Sequence, residues 1–565
     1  MVDGETIKQK SEKLLLRAID SFKEKDFDNA ELYFQELLSL HPNNEKILEN
    51  IAITFLENNK YHQAEEILDK IIFLGFKNQK IIELKLRSLK KQDKINDLLN
   101  LINEEQEIID KKFKLISVFE RPTIALDEKE IYKIRENTIK NIEKFIQQKS
   151  LGLNIDENVV EPPIFSYSYD NVNNLDLNKK FVKIFQHSYP QLKKNIYLNS
   201  NIKSDKIKIG FISEFFNRHT IEKLFKGIIS NLSNQYFDIK VFYLNKNGNK
   251  TISNDFFKYE ITSNIENIEL PKFFDDKINL IKNQNLDILF YPDVGLSAEF
   301  YYLTFLRLAK KQYTSWGHPE TTCIPTIDYF LSSKLLEVNY ESSQKHYTEK
   351  LLLSDYLPMF YFKPNLNKTL DNDDLMNNNI YSCPQTLFKL HPNFDEVIIK
   401  ILKQDLKSKI YLIEDSGKIY SKKLFERIKK KSSFRLENLI FINKLKYNEY
   451  IEHCGRSSVL LDPFFFGAGN SFHESMFYGT MTVTMPSNFL KSRIVLGAYK
   501  QMKIQNPPVV ENIDNYINTA IEIANMKKRD LLEKKIYFKE AAEKNLFENK
   551  LALKSIENFF IESIN

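Results

Sequence analysis

The chain has 565 residues, too many for one hydrophobic core and enough for two to four domains. Lys and Arg total 81 against 76 Asp and Glu, spread along the whole length, so no basic footprint for nucleic acid is present. Cys323, Cys383 and Cys454 are far apart and lack a metal or redox spacing, which points to a reducing compartment.

The N-terminal "MVDGETIKQKSEK" carries no apolar signal-peptide core, and no later apolar run reaches the ~18 residues of a membrane span; a cytoplasmic protein with no membrane span is expected. A repeat follows. Leu14, Ala18, Phe27, Ala30, Phe34 and Leu37 recur 34 residues later as Leu48, Ala52, Tyr61, Ala64, Leu68 and Ile71, and Pro42 closes the first unit. Small Ala at two fixed places lets paired helices approach, while the larger residues fill the space between pairs. Period and residue types resemble the tetratricopeptide repeat. A third, degenerate copy runs through Ile82, Leu86, Leu89, Ile95 and Leu98. The array over residues 1–119 is expected to dock a partner protein; purely structural helical hairpins are the alternative.

Residues 120–203 read as a connector, with one amphipathic helix in "KEIYKIRENTIKNIEKFIQQ" and then an Asn-rich segment with "EPP" at Glu161 to Pro163. Beyond it the texture changes. "KIKIGFIS" is a buried-strand run, followed by helix "TIEKLFKGIISNL", strand "IKVFYL", helix "KFFDDKINLIKNQ" and strand "LDILFYP". After an Asn/Asp-rich break at Asn365 to Asn379 the alternation restarts and ends in "VLLDPF", a helix and "TMTVTMP". Strands alternating with helices predict parallel sheets in two Rossmann-like halves, 204–370 and 371–565, the second including the C-terminal helices.

Ligands of such folds sit at the carboxyl ends of strands. "VLLDPFFFGAGN" ends a strand, Gly467 and Gly469 let the backbone approach a ligand, and Asn470 and Ser471 start a helix whose N-terminus suits a phosphate. The competing reading is local: Ser471 and Glu474 have capping-box spacing, and the glycines serve a turn.

Four segments carry a family resemblance: "WGHPETTCIPTIDYFLSS", "HYTEKLLLSDYLP", "LFKLHP" and "LDPFFFGAGNSFHESMFYGTMTVTMPSNFLKSR", with "GFISEFFNRHT" as a first loop. Together they resemble the catalytic region of the O-GlcNAc-transferase-like (SPINDLY-type) family. That family includes bacterial tetratricopeptide-repeat glycosyltransferases and protein N-glucosyltransferases. The resemblance implies an α/β GT-B fold, two Rossmann-like lobes behind an all-α repeat region. It implies an inverting glycosyltransferase that needs no metal or other cofactor and moves a sugar from a UDP-linked donor to a Ser/Thr hydroxyl or Asn amide of a protein.

Carried onto this sequence, the resemblance puts Lys389 at the donor diphosphate, Gly467, Gly469, Asn470 and Ser471 around the donor, and Glu474 at its ribose. His219 falls on the acceptor side as a catalytic candidate, and His318 shapes the cleft and contacts the donor. Departures are Gly469, Asn470 and Ser471 in place of a His-Thr-Thr run, Tyr447 and Tyr450 at a basic and a His position, and Phe215 at an acidic one. They place the chain with the bacterial branch and argue against assuming UDP-GlcNAc as donor. A glycan or lipid-linked acceptor, or a catalytically silent repeat adaptor, are the alternative functions.

Overall fold

A computed structural model describes residues 7–198, 205–217, 219–246, 248–263, 265–366 and 379–564. The domain boundaries expected at 203/204 and 370/371 lie outside the described residues, as does Arg218 of the first loop. The chain forms two compact units: one holds the residues up to Ile124 with Asp415–Phe425, the other Ala125–Glu414 and Glu426–Asn565.

The first unit is a series of helical hairpins: α1 (Ile7–Lys23) with α2 (Phe27–Leu40), α3 (Glu45–Glu57) with α4 (Tyr61–Phe73), and α5 (Gln79–Lys91) with α6 (Ile95–Glu104), then a short α7 (Lys112–Ile116). Ala18, Ala30, Ala52 and Ala64 are all fully buried, as close helix approach requires, and in the third pair Leu86 and Leu98 take those places. The period also shows in the backbone. Lys25, Asn59 and Asp93, each 34 after the last, turn every hairpin with positive φ (63°, 59° and 57°). Asn44 and Asn78 cap α3 and α5 by accepting from the N–H of Ile47 and Ile81. Within the same unit Lys423 donates to the Asp93 carboxylate at 2.9 Å.

In the second unit, helix α8 (Glu128–Ile146), capped by Asp127, packs on α9 (Leu175–Ser188). The first sheet comprises β1 (Ile207–Ile212), β2 (Phe237–Tyr243), β5 (Ile265–Glu269), β6 (Ile288–Tyr291), β7 (Lys311–Ser315), β8 (Tyr329–Ser333) and β9 (Lys350–Ser354). Its order is β5-β2-β1-β6-β7-β8-β9, all parallel; β3 (Asn245–Lys246) and β4 (Asn249–Lys250) form a separate hairpin. The second sheet comprises β10 (Asn379–Cys383), β11 (Ser408–Ile413), β12 (Leu439–Ile442), β13 (Val459–Leu461) and β14 (Thr482–Val483), ordered β12-β11-β10-β13-β14 and again parallel.

In each sheet the chain reverses its direction of travel beside the first strand, between β1 and β6 and between β10 and β13. These are the topological switch points where loops diverge and leave a crevice. The final helix, Lys550–Ile564, expected with the second lobe, covers the first sheet instead. Its Phe560 ring lies 5.9 Å from Phe290 and 5.4 Å from Tyr313, burying an apolar sheet face. Among the described residues no helix is long and apolar enough to cross a membrane.

Candidate active site

Both switch points open onto one cavity of about 410 Å³. His219 and Thr220 reach it from the loop after β1, Trp316 and Gly317 from the end of β7, Gln385 and Lys389 from the loop after β10, and the 466–474 segment from the end of β13. Seven of the eight residues singled out in the sequence line this space: His219, Lys389, Gly467, Gly469, Asn470, Ser471 and Glu474.

Lys389 ends a 3-10 turn, Leu387–Lys389, and is partly buried in the wall. Its ammonium donates to Gln385 Oε1 at 2.9 Å, comes within 3.5 Å of Gly467 O and lies 4.9 Å from the Phe466 ring centre. Desolvation lowers its pKa to about 8, partly offset by the nearby Asp462. Asp462 is buried, and burial pushes its carboxyl up to about 7 against hydrogen bonds from Thr484 and Ala468. It accepts from the Ala468 N–H and the Thr484 hydroxyl, both at 2.6 Å, and so fixes the glycine loop.

The two glycines differ. A Cβ on Gly467 would sit 3.1 Å from Asp462 Oδ2, whereas one on Gly469 meets no protein atom within 4 Å. Gly467 N–H donates to Lys491 O and Ala468 N–H to Asp462, so neither is open to a ligand. Among the described residues the N–H groups of Gly469, Asn470 and Ser471 have no protein acceptor. They begin a helix of six residues, Asn470–Ser475, which is too short to bring much macrodipole.

No capping box forms at that helix. The helix starts one residue before Ser471, with Gly469 at the N-cap, so Ser471 Oγ instead accepts from Gln385 Nε2 and the Glu474 carboxylate pairs with Lys223 of α10 (Thr220–Asn231). Burial raises the pKa of Glu474 and Lys223 opposes the shift. Asn470 donates to Thr220 O at 3.0 Å, while its Oδ1 is buried without a hydrogen-bond partner. Asn470 and Glu474 thus both reach from the second lobe to α10 of the first.

His219 caps α10: its Nδ1 accepts the Ile221 N–H at 3.3 Å. The neutral ring therefore carries its proton on Nε2, where it offers a donor. Burial and the Lys223 ammonium lower its pKa. His318 does not line the cavity. It is buried, with Nε2 3.2 Å from Ser168 Oγ and its ring 5.0 Å from Phe165, and burial lowers its pKa to about 4.

Sequence reasoning missed three contributors. Lys223 sits over the Tyr447 ring at 4.1 Å and pairs with Glu474. Phe165 and Tyr169 come from the connector and form one wall of the cavity. Behind them Glu320 gathers a buried polar cluster: Ser168 Oγ donates to it at 2.7 Å, Asn174 Nδ2 at 2.8 Å and Lys491 Nζ at 2.6 Å. Arg135 of α8 donates to Asn174 Oδ1 at 2.6 Å. Among the described residues no cluster of three or more His, Cys, Asp or Glu is arranged to hold a metal ion.

Two Rossmann-like lobes with facing switch points in a chain that also carries helical repeats define the GT-B class in its repeat-bearing form. The tetratricopeptide repeat family model matches residues 21–81. The UDP-glucose:protein N-beta-glucosyltransferases of Actinobacillus pleuropneumoniae serotypes 5b (strain L20) and 7 (strain AP76) are each 24% identical over 247 residues. The match takes in 42% of this chain and 38% of each relative, well under half of their length. A variant of the Thermobaculum terrenum O-GlcNAc transferase superposes with a TM-score of 0.68 at 13% identity, over 100% of this chain and 98% of its own. The architecture of this chain is O-GlcNAc-transferase-like.

Proposed function

We propose that the protein is a glycosyltransferase that moves a sugar from a UDP-linked donor to a side chain of an acceptor protein. One observation carries the reading: both switch points open onto one cavity that holds a partly buried lysine beside three unpartnered backbone N–H groups. Such a site suits a diphosphate. The names of the relatives, a protein N-glucosyltransferase and an O-GlcNAc transferase, agree with it.

In this reading Lys389 and the N–H groups of Gly469, Asn470 and Ser471 hold the diphosphate, and Asn470 and Glu474 face the ribose hydroxyls. The acceptor hydroxyl or amide nitrogen attacks the anomeric carbon. The carbon–oxygen bond to the diphosphate breaks, its electron pair leaves with UDP, and the acceptor loses its proton to water or a base. One displacement inverts the anomeric centre. Charge grows on the departing diphosphate, where the Lys389 ammonium stabilises the transition state without a metal ion. His219 orients the acceptor through its Nε2–H, and the repeat region receives the acceptor protein.

The test is to incubate the purified protein with UDP-glucose, UDP-galactose and UDP-GlcNAc and a cell extract, following UDP release and the mass of labelled products. Sugar on protein supports the reading; sugar on glycan or lipid changes the acceptor class. With none of the donors turned over and no mass shift, the reading fails.

A further inference from the structure

The connector before the lobes contributes two half-buried aromatic rings to the cavity, and both are braced from behind. Tyr167 and Ser168 between them are fully buried. Tyr167 Oη lies 2.8 Å from Thr138 Oγ1, and its carbonyl accepts from Asn174, while Ser168 donates to Glu320. The consecutive Tyr167 and Ser168 thus anchor the segment, and Phe165 and Tyr169 are left to face the cavity. Tyr169 packs 4.8 Å from Phe388 and 5.0 Å from Phe466; Phe165 lies 5.8 Å from Phe466 and 5.0 Å from His318. Among the described residues the Tyr169 hydroxyl has no hydrogen-bond partner.

Phe466 fixes where this wall stands. The Lys389 ammonium lies 4.9 Å from the centre of the same ring, so a group attached to an anion held by Lys389 is within reach of the aromatic wall. Of the polar groups of the cavity, Gln385, Asn470, Ser471 and Glu474 come from the second lobe and suit the hydroxyls of a nucleoside, while His219 and Thr220 come from the first. The aromatic wall also touches both lobes, meeting Phe388 and Phe466 of the second and His318 of the first. In the donor-site reading, the end of the donor that meets an acceptor would lie where the two lobes adjoin. A pyranose presents an apolar face of C–H groups and a rim of hydroxyls, which an aromatic surface with one hydroxyl complements.

We propose that Phe165 and Tyr169 form the surface on which the transferred pyranose packs, so that the connector takes part in selecting the sugar. The inference rests on the donor-site reading above. Calorimetric titration of the full chain with UDP and with UDP-glucose, UDP-galactose and UDP-GlcNAc tests it, in wild type and in Phe165→Leu, Tyr169→Leu and Tyr169→Phe.

Expected in the two Leu variants is a UDP affinity within about twofold of wild type and a loss of about tenfold in affinity for the preferred UDP-sugar. Tyr169→Phe, which keeps the ring, should retain most of that affinity and narrow the preference among the three sugars. Equal weakening of UDP and UDP-sugar would assign the wall to the nucleoside and overturn the proposal, as would no change in any variant. Should a Leu variant fail to fold, an unaltered sugar preference in Tyr169→Phe overturns it. If the wild type binds none of the four nucleotides, the donor-site reading falls and takes this inference with it. If the wild type binds and the variants match it, only the wall assignment falls.

Discussion

Replacing Lys389 with Met keeps the length of the side chain and removes its charge, which separates what the residue does for the fold from what it does for the chemistry. Burial lowers its pKa from 10.5 to about 8. At 1.36 kcal/mol per pKa unit, holding the charged form costs the folded protein up to about 3 kcal/mol at neutral pH. Because the folded value is depressed, this cost is full below pH 8 and fades as pH rises toward the unfolded value near 10.4. Lys389→Met should therefore melt no lower than wild type at pH 7, with any advantage shrinking toward pH 10. Turnover should move the other way. Loss of preorganised charge at a departing diphosphate costs about 3 kcal/mol in the barrier, about a hundredfold in kcat. Scanning calorimetry and UDP release measured on one preparation supply both quantities. A variant that melts well below wild type yet turns donor over at the wild-type rate would refute the argument in both halves.

Affinity for UDP should fall as pH rises through about 8, by up to about tenfold per pH unit, as Lys389 loses its proton, and the profile should flatten in Lys389→Met; a flat wild-type profile places the diphosphate elsewhere. Gly469→Ala puts a methyl where no protein atom stands within 4 Å, so donor binding should weaken by about tenfold or more if the backbone meets the diphosphate, and unchanged affinity in calorimetry would assign the glycine to the turn alone. Gly479→Ala should lose at least about 3 kcal/mol in urea unfolding: Gly479 has φ +66°, and its Cβ would lie 1.9 Å from Lys535 O. Lys491→Met should raise the KM for donor more than it lowers kcat, because Lys491 O holds the Gly467 N–H while its ammonium is tied to Glu320.

Much of this architecture is written in local patterns. The 34-residue period, the strand–helix alternation and the glycines after β13 can all be read from short windows, because helical pairing, sheet burial and close backbone approach each demand particular residues at particular spacings. Strand β5, "IENIE", escaped that reading: it is an edge strand with little apolar alternation. "TMTVTMP" promised a longer strand than Thr482–Val483, but the Thr484 hydroxyl turns to Asp462 and its backbone pairs with Val509. At the site the failures are of distance. Spacing alone suggested a cap at Ser471 and Glu474, yet Glu474 meets a lysine 251 positions earlier and Ser471 a glutamine 86 earlier. Phe165 and Tyr169 sit in a stretch with neither helical nor strand periodicity, and their ring partners Phe388 and Phe466 lie more than 200 residues on. No window of sequence contains both.

The buried cluster around Glu320 bears on how the lobes move. Lys491 of the second lobe has a fully buried side chain, Glu320 of the first is only 9% exposed, and Asn174 of the connector closes the group. Opening the lobes along this seam would break the Lys491–Glu320 pair and hand both charges to water, so its cost is the net contribution of the pair rather than the penalty of a stranded charge. The Lys223–Glu474 pair and the Asn470–Thr220 hydrogen bond add to the same seam. A seam of ion pairs and hydrogen bonds, unlike an apolar one, has contacts that water and salt can replace, so the lobes should part more readily as ionic strength rises.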